Sequence, residues 1–227
     1  PYEWSFSQLQ DAAILTLKVQ AQSLKYGFSL KDASSYNIQF IGNELKFIDT
    51  LSFEPYKEGE PWIAYRQFCQ HFLAPLALMA YVDADLAKLL SNYIDGIPLS
   101  LASKLLPNRT RLNYGLQIHL HLHAKIQKAY SDSANPAEST AEKKTKAKLT
   151  LNGQRAIIED LASVINRLEW KLPKTEWGDY YANTNYDDQS FLKKRELVSR
   201  LIQDIPDKLN IVQDLGANTG EFSRIAS

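Results

Sequence analysis

The sequence predicts a mainly α-helical N-terminal domain with one small β-hairpin, followed by the start of an α/β, Rossmann-like domain. Three observations carry this. Apolar residues recur at helical spacing over residues 7–26 and again over 153–170. Two short alternating runs flank Gly42-Asn43, which reads as a two-residue hairpin loop at 37–49. Near the end, Ile211-Val212 leads into Asp214, a turn with Gly216 and Gly220, and a helix-like run over 221–226. Strand, glycine turn and helix open a doubly wound nucleotide-binding sheet, because glycines let backbone approach a ligand closely.

The chain has 227 residues, 44% of them hydrophobic, enough for a buried core. Its 26 basic and 26 acidic residues cancel, which argues against nucleic acid or an anionic membrane as partner. The lone cysteine, Cys69, has no internal disulfide partner and predicts a reducing, cytoplasmic setting. No 18-residue apolar run is present, so no membrane span is expected.

The first helix ends at Gly27, a C′ residue. Residues 51–81 are rich in aromatics. Pro61 is expected at the first position of a helix whose stripe is Trp62, Tyr65, Phe68 or Cys69, and Phe72. That stripe reads as core, with an aromatic-walled acceptor pocket as the minority reading, and Cys69 inside it as buried and inert. Pro75 is expected to break or kink the helix. A helix capped by Asp83 runs to Asn92, and a short helix over 99–106 stops at Pro107. His119, His121 and His123 lie in a run read as helix; on a strand they would share one face and suit zinc, but no acidic or cysteine partner lies nearby in sequence.

Residues 131–148 hold no large apolar side chain and read as a flexible linker, dividing a domain over 1–130 from one over 149–227. Beyond Pro173, a polar-aromatic loop with Tyr180, Tyr181 and Tyr186 precedes a helix over 188–205 that carries Lys194.

Asp214-Leu215-Gly216-Ala217-Asn218-Thr219-Gly220 resembles the first motif of the class I S-adenosylmethionine-dependent methyltransferases, acidic-x-Gly-x-x-x-Gly after the first strand. The resemblance implies that the Gly216–Gly220 turn packs against the methionine part of S-adenosylmethionine. It also implies that Asp214 supports the turn and the amino end of the cofactor, with Asn218 in the same turn. The Trp-Tyr-Tyr loop and the lysine-rich helix are similar to the lead-in of several methyltransferases, where such loops fold over the cofactor; Tyr180, Tyr181, Tyr186 and Lys194 are the candidates. The dinucleotide pattern with a third glycine is absent. Further strands and a ribose-binding acid would follow in such a domain. With Pro1 at the start and Ser227 at the end, the expectation is a fragment cut inside its cofactor domain, inactive by itself, with an unknown methyl acceptor.

A second resemblance covers 28–49. A loop with Asp32 and Asn37 five apart, then the hairpin, then Asp49, resembles the catalytic loop of protein kinases and related phosphotransferases. It implies a kinase C-lobe-like domain, with Asp32 as the base and Asn37 and Asp49 as ligands of Mg²⁺ bound with ATP. The His-Arg expected before Asp32 and the Phe-Gly after Asp49 are missing. A third reading is a helical protein-interaction domain with its aromatic stripe fully buried.

Overall fold

The computed structural model describes residues 1–125, 149–171, 187–206 and 211–227. The described residues are mainly helical, with two small antiparallel sheets. It divides into two units, Pro1–Lys171 and Leu172–Ser227. The division therefore falls near residue 171 rather than within 131–148. The reason is packing: the helix Leu151–Asn166 lies on the first helix of the chain, inside the first unit. The expected linker over 131–148 lies outside the described residues.

The first unit begins with α1, Phe6–Lys25. Ser5 caps it through a capping box with Gln8, satisfying two donors that the first turn leaves over. Leu9, Ala12, Ala13, Leu17 and Leu24 form its buried stripe. Gly27 follows at φ 77, as the C′ position requires. Strand β1, Phe28–Leu30, is pinned to α1 by a buried glutamine: Gln20 Oε1 accepts from Leu30 N at 2.7 Å, and Gln20 Nε2 donates to Ser29 Oγ at 3.0 Å. Strands β2, Ile38–Ile41, and β3, Glu44–Phe47, form the expected hairpin, with Ile38 opposite Phe47 and Ile41 opposite Glu44. Strand β4, Phe53–Pro55, returns antiparallel to β1, pairing Leu30 with Phe53.

Helix α2, Tyr65–Phe68, starts four residues after Pro61 rather than at it. Trp62 is held instead by its indole N–H, which donates to Leu30 O at 2.8 Å. A π-helical segment, Cys69–Leu73, runs straight into α3, Ala74–Tyr81. Here the expected break at Pro75 does not occur. Ala74 N donates to Cys69 O, one residue further back than in an α-helix. This π-bulge widens the turn just before the proline, and Gln70 O, the carbonyl five residues before Pro75, accepts instead from Ile97 N at 3.0 Å. Phe68, Phe72, Leu73, Leu76, Ala77 and Leu78 are all fully buried, so this element is the centre of the core.

The expected helix from Asp83 is a 3₁₀ turn over Ala84–Lys88, capped by Asp83, and then α4, Leu89–Asn92. Helix α5 is Leu99–Leu105. Helix α6, Tyr114–Leu116, continues as a π-helical segment, Gln117–Leu122, which carries His119 and His121. Helix α7, Leu151–Asn166, buries Ile158, Leu161, Val164 and Ile165. Its C-terminal end is tied to α1 by Gln10, whose Nε2 donates to Ile165 O at 2.8 Å and to Leu168 O at 3.1 Å, beside the Leu168 N that also donates to Ile165 O.

In the second unit, α8, Asp188–Gln203, is capped by Asp187, and α9, Glu221–Ala226, follows the glycine turn. Phe222 packs edge-on to Phe191 at 6.4 Å, and Arg195 pairs with Glu221 at 3.1 Å. The expected strand before the turn is not formed: residues 211–214 have no strand pairing. A strand of a parallel sheet takes its hydrogen bonds from neighbours on both sides, and no described segment offers one. Ile211 and Leu215 are accordingly exposed.

Candidate functional site

Three places concentrate chemistry. The first is the loop from Asp32 to Asn37 with its partner at Asp49. Buried and half-buried side chains from distant elements fix this loop by its backbone. Ala33 N donates to Gln67 Oε1 at 2.7 Å, next to the Gln20 and Trp62 bonds at Leu30. Asp32 Oδ1 accepts from Ser34 N, closing a tight turn, and Ser34 caps the following 3₁₀ turn. Asn37 Nδ2 reaches back to Asp32 O at 3.4 Å and across to Ser52 Oγ at 3.0 Å. Ser52 Oγ in turn donates to Asp49 Oδ2 at 2.6 Å, while Leu51 N donates to Asp49 Oδ1. These two bonds hold the Asp49 carboxyl below its usual range, the serine bond first. Asp32, Asn37 and Asp49 are thus one connected network. A cation held by Asn37 and Asp49 would share Asp49 with the Ser52 hydroxyl. Among the described residues no cluster of three or more His, Cys, Asp or Glu could hold a metal ion.

Under this loop lies His71, buried, with Nδ1 3.1 Å from Ser35 Oγ. Burial pushes its pKa down to about 4, although Asp32 and Asp95 pull the other way.

The second place is the histidine run. His119 Nδ1 lies 2.6 Å from the Tyr65 hydroxyl, and His119 Nε2 lies 2.7 Å from Asp160 Oδ2. His121 sits between two hydroxyls, Ser103 Oγ at 2.8 Å and Thr110 Oγ1 at 2.9 Å. His123 stacks obliquely on Tyr65, with ring centres 4.9 Å apart. The segment is helical, so the three rings do not share one face, and both nitrogens of His119 and of His121 are occupied by protein partners. Asp160 is the acidic partner not visible near these histidines in sequence; α7 delivers it from 41 positions away. Next to Tyr65, Cys69 is buried, and burial pushes its thiol up to about 12.

The third place is the turn over 214–220. Gly216, Asn218 and Gly220 all have left-handed backbone, at φ 76, 50 and 74. Gly220 N donates to Ala217 O at 2.8 Å, and Arg224 Nη1 donates to Thr219 O at 3.0 Å. Asp214 Oδ2 accepts from Ser223 Oγ at 2.7 Å, tying the start of the turn to α9. Around Gly216 there is open space where a Cβ would stand, so the backbone there is bare on that side. Lys194 lies over the Phe222 ring at 5.0 Å. Tyr180, Tyr181 and Tyr186 lie outside the described residues.

The sequence did not point to Ser52, Gln67, Tyr65 as a histidine partner, or Asp160. Gln67, Tyr65 and Asp160 act through contacts across many residues, with no local spacing to betray them, and Ser52 joins Asp49 three positions away to Asn37 fifteen positions away.

These features define a mainly helical protein with a polar loop network in its first unit and a glycine turn near its end. Along its whole length the chain is similar to the nodulation protein NoeA of Rhizobium meliloti (strain 1021), with 34% identity over 229 residues. The alignment takes in 100% of this chain and 47% of that protein, so the chain spans about half the length of the curated relative it matches. No protein-family model matches the chain, and no solved structure matches it.

Proposed function

We propose that the full-length protein transfers a methyl group from S-adenosylmethionine, in the cytoplasm, and serves nodulation as its relative's name suggests. The turn over Asp214–Gly220 carries this reading. Three left-handed residues within five positions, with clear space beside Gly216, make a backbone surface that a cofactor can touch. Asp214 and Asn218 lie on the same turn, and Tyr181 and Lys194 precede it. When bound, the cofactor supplies an electrophilic methyl carbon. The protein's task is then to hold acceptor and methyl in line, which is a matter of positioning rather than proton transfer. Titrating S-adenosylmethionine calorimetrically into the full-length protein tests the reading. Heat that disappears in Gly216→Val supports it, and no heat from the unsubstituted protein overturns it.

A second reading rests on a different observation, the link from Asp32 through Asn37 and Ser52 to Asp49. This arrangement favours a kinase-like module in the first unit, with Asp32 toward an acceptor and Asn37 and Asp49 toward Mg²⁺ and ATP. The departures around Asp32 and Asp49, and the Ser52 hydroxyl on Asp49, weigh against phosphoryl transfer and toward a structural use of the same loop. A thermal shift with ATP that requires Mg²⁺ and is lost in Asp49→Asn would support nucleotide binding.

A further inference from the structure

His121 stands in a chain of hydroxyls whose proton directions follow from one carbonyl. Thr110, in the 3₁₀ turn Asn108–Leu112, donates its hydroxyl proton to Pro107 O at 2.7 Å. The same Oγ1 lies 2.9 Å from His121 Nε2, so there the ring N–H is the donor and the threonine oxygen the acceptor. A neutral imidazole carries one proton, which leaves the lone pair on Nδ1. Ser103 Oγ lies 2.8 Å from Nδ1 and therefore donates to it. The ring is neutral because burial lowers its pKa, with Arg111 and Lys125 lowering it further. Three elements meet here: α5 carries Ser103, the π-helical segment Gln117–Leu122 carries His121, and the 3₁₀ turn carries Thr110. His121 and Thr110 are buried, while Ser103 is half-buried. Backbone inside a helix is covered, so what a half-buried serine shows to solvent there is chiefly its CH₂–OH. A hydroxyl at the surface, a neutral imidazole beneath it and a third group orienting the ring are the parts of an activated serine.

We propose that Ser103 is a nucleophile that takes the acyl group of a small carboxylic ester, with His121 as its general base and Thr110 as the residue that positions the ring. Ser103 Oγ attacks the ester carbonyl carbon as its proton passes to His121 Nδ1. The tetrahedral centre collapses, the carbon–oxygen bond to the leaving alcohol breaks, and that oxygen takes the proton from Nδ1. An acyl-serine remains. Water then gives a proton to Nδ1 and attacks the acyl carbon, the carboxylic acid leaves, and Ser103 recovers the proton. Arg111 and Lys125 are both exposed, and their positive charge, felt at His121, favours the oxyanion that forms on the carbonyl. Only residues of the first unit take part, so this site stands or falls independently of the cofactor turn.

The probe is 4-nitrophenyl acetate. Mixed with the 227-residue chain, it should release 4-nitrophenolate in a burst of about one equivalent, and peptide mapping after an acid quench should place the acetyl group on Ser103. His121→Gln should slow acetylation of Ser103 about a hundredfold, since the base is gone. Thr110→Val should slow it about tenfold, and Thr110→Ser, which keeps the hydroxyl, should stay within about twofold of the unsubstituted chain. Thermal melts identify the variants that are folded, and a purely structural hydroxyl would not link the Ser103 rate to the residue at 110. The proposal is overturned if the native chain gains acetyl groups only elsewhere or not at all, if Ser103 is acetylated as fast in the urea-unfolded chain, or if folded Thr110→Val reacts as fast as the unsubstituted chain.

Discussion

Gly115 lies directly against Val164: a Cβ added at Gly115 would overlap the valine's Cγ2. This contact sets how closely α6 approaches α7, and so how α7 closes the first unit. Gly115→Ala should therefore destabilise the chain by about 1–3 kcal/mol through overpacking. Val164→Ala in the same chain should recover part of that loss, because it removes the opposing methyl groups. Urea denaturation of the two single variants and the double variant measures the coupling.

Ser52 is buried and holds the loop network together by accepting from Asn37 and donating to Asp49. Ser52→Ala should cost about 1–3 kcal/mol, since the Asn37 amide loses its shorter acceptor inside the protein. Asn37→Leu should cost at least as much, because it also frees the Asp32 carbonyl. If denaturation midpoints of both variants match the unsubstituted chain, the network is not what fixes the loop.

His71 makes the first unit acid-sensitive. It is neutral in the fold, with a pKa pushed by burial from near 6.5 to about 4. Between those values the unfolded chain binds a proton that the folded chain does not, so stability rises with pH across this window and falls as acid is added. At its acid end the loss reaches roughly 2–3 kcal/mol from this group. Urea midpoints measured on both sides of the window should show that slope, and His71→Asn should flatten it.

Cys69 should be silent to thiol reagents in the native state. It is buried against Tyr65, and its thiol is pushed up to about 12, so almost no thiolate forms near neutral pH. A chromogenic disulfide reagent should label it only after denaturation; fast labelling of the native chain would show that the helix around it opens readily.

Gly216 separates the cofactor reading from simple folding. Its side faces open space, so Gly216→Ala meets no clash and pays only for left-handed backbone, about 1–2 kcal/mol within the turn. The thermal midpoint of the first unit should not move. Affinity of the full-length protein for S-adenosylmethionine should fall about tenfold or more.

The helices and the hairpin were legible in the sequence because they rest on local rules. The apolar stripe of α1, Gly27, Gly42-Asn43 and the cap at Asp83 all act within a few positions. The spacing of Asp32, Asn37 and Asp49 was legible too, though not the serine that joins them. The continuous helix through Pro75 was not, because a π-bulge one turn earlier accommodates the proline and no pattern of residue types announces that register change. The place of α7 in the first unit and the pairing of Asp160 with His119 were decided by tertiary packing alone. The strand expected before Asp214 shows the same division. A run of β-branched residues expresses a preference, but a strand exists only when another strand completes its hydrogen bonds. By itself the sequence determined which segments turn, coil and bury; the tertiary structure decided which distant side chains meet, because those contacts depend on packing geometry rather than on neighbours along the chain.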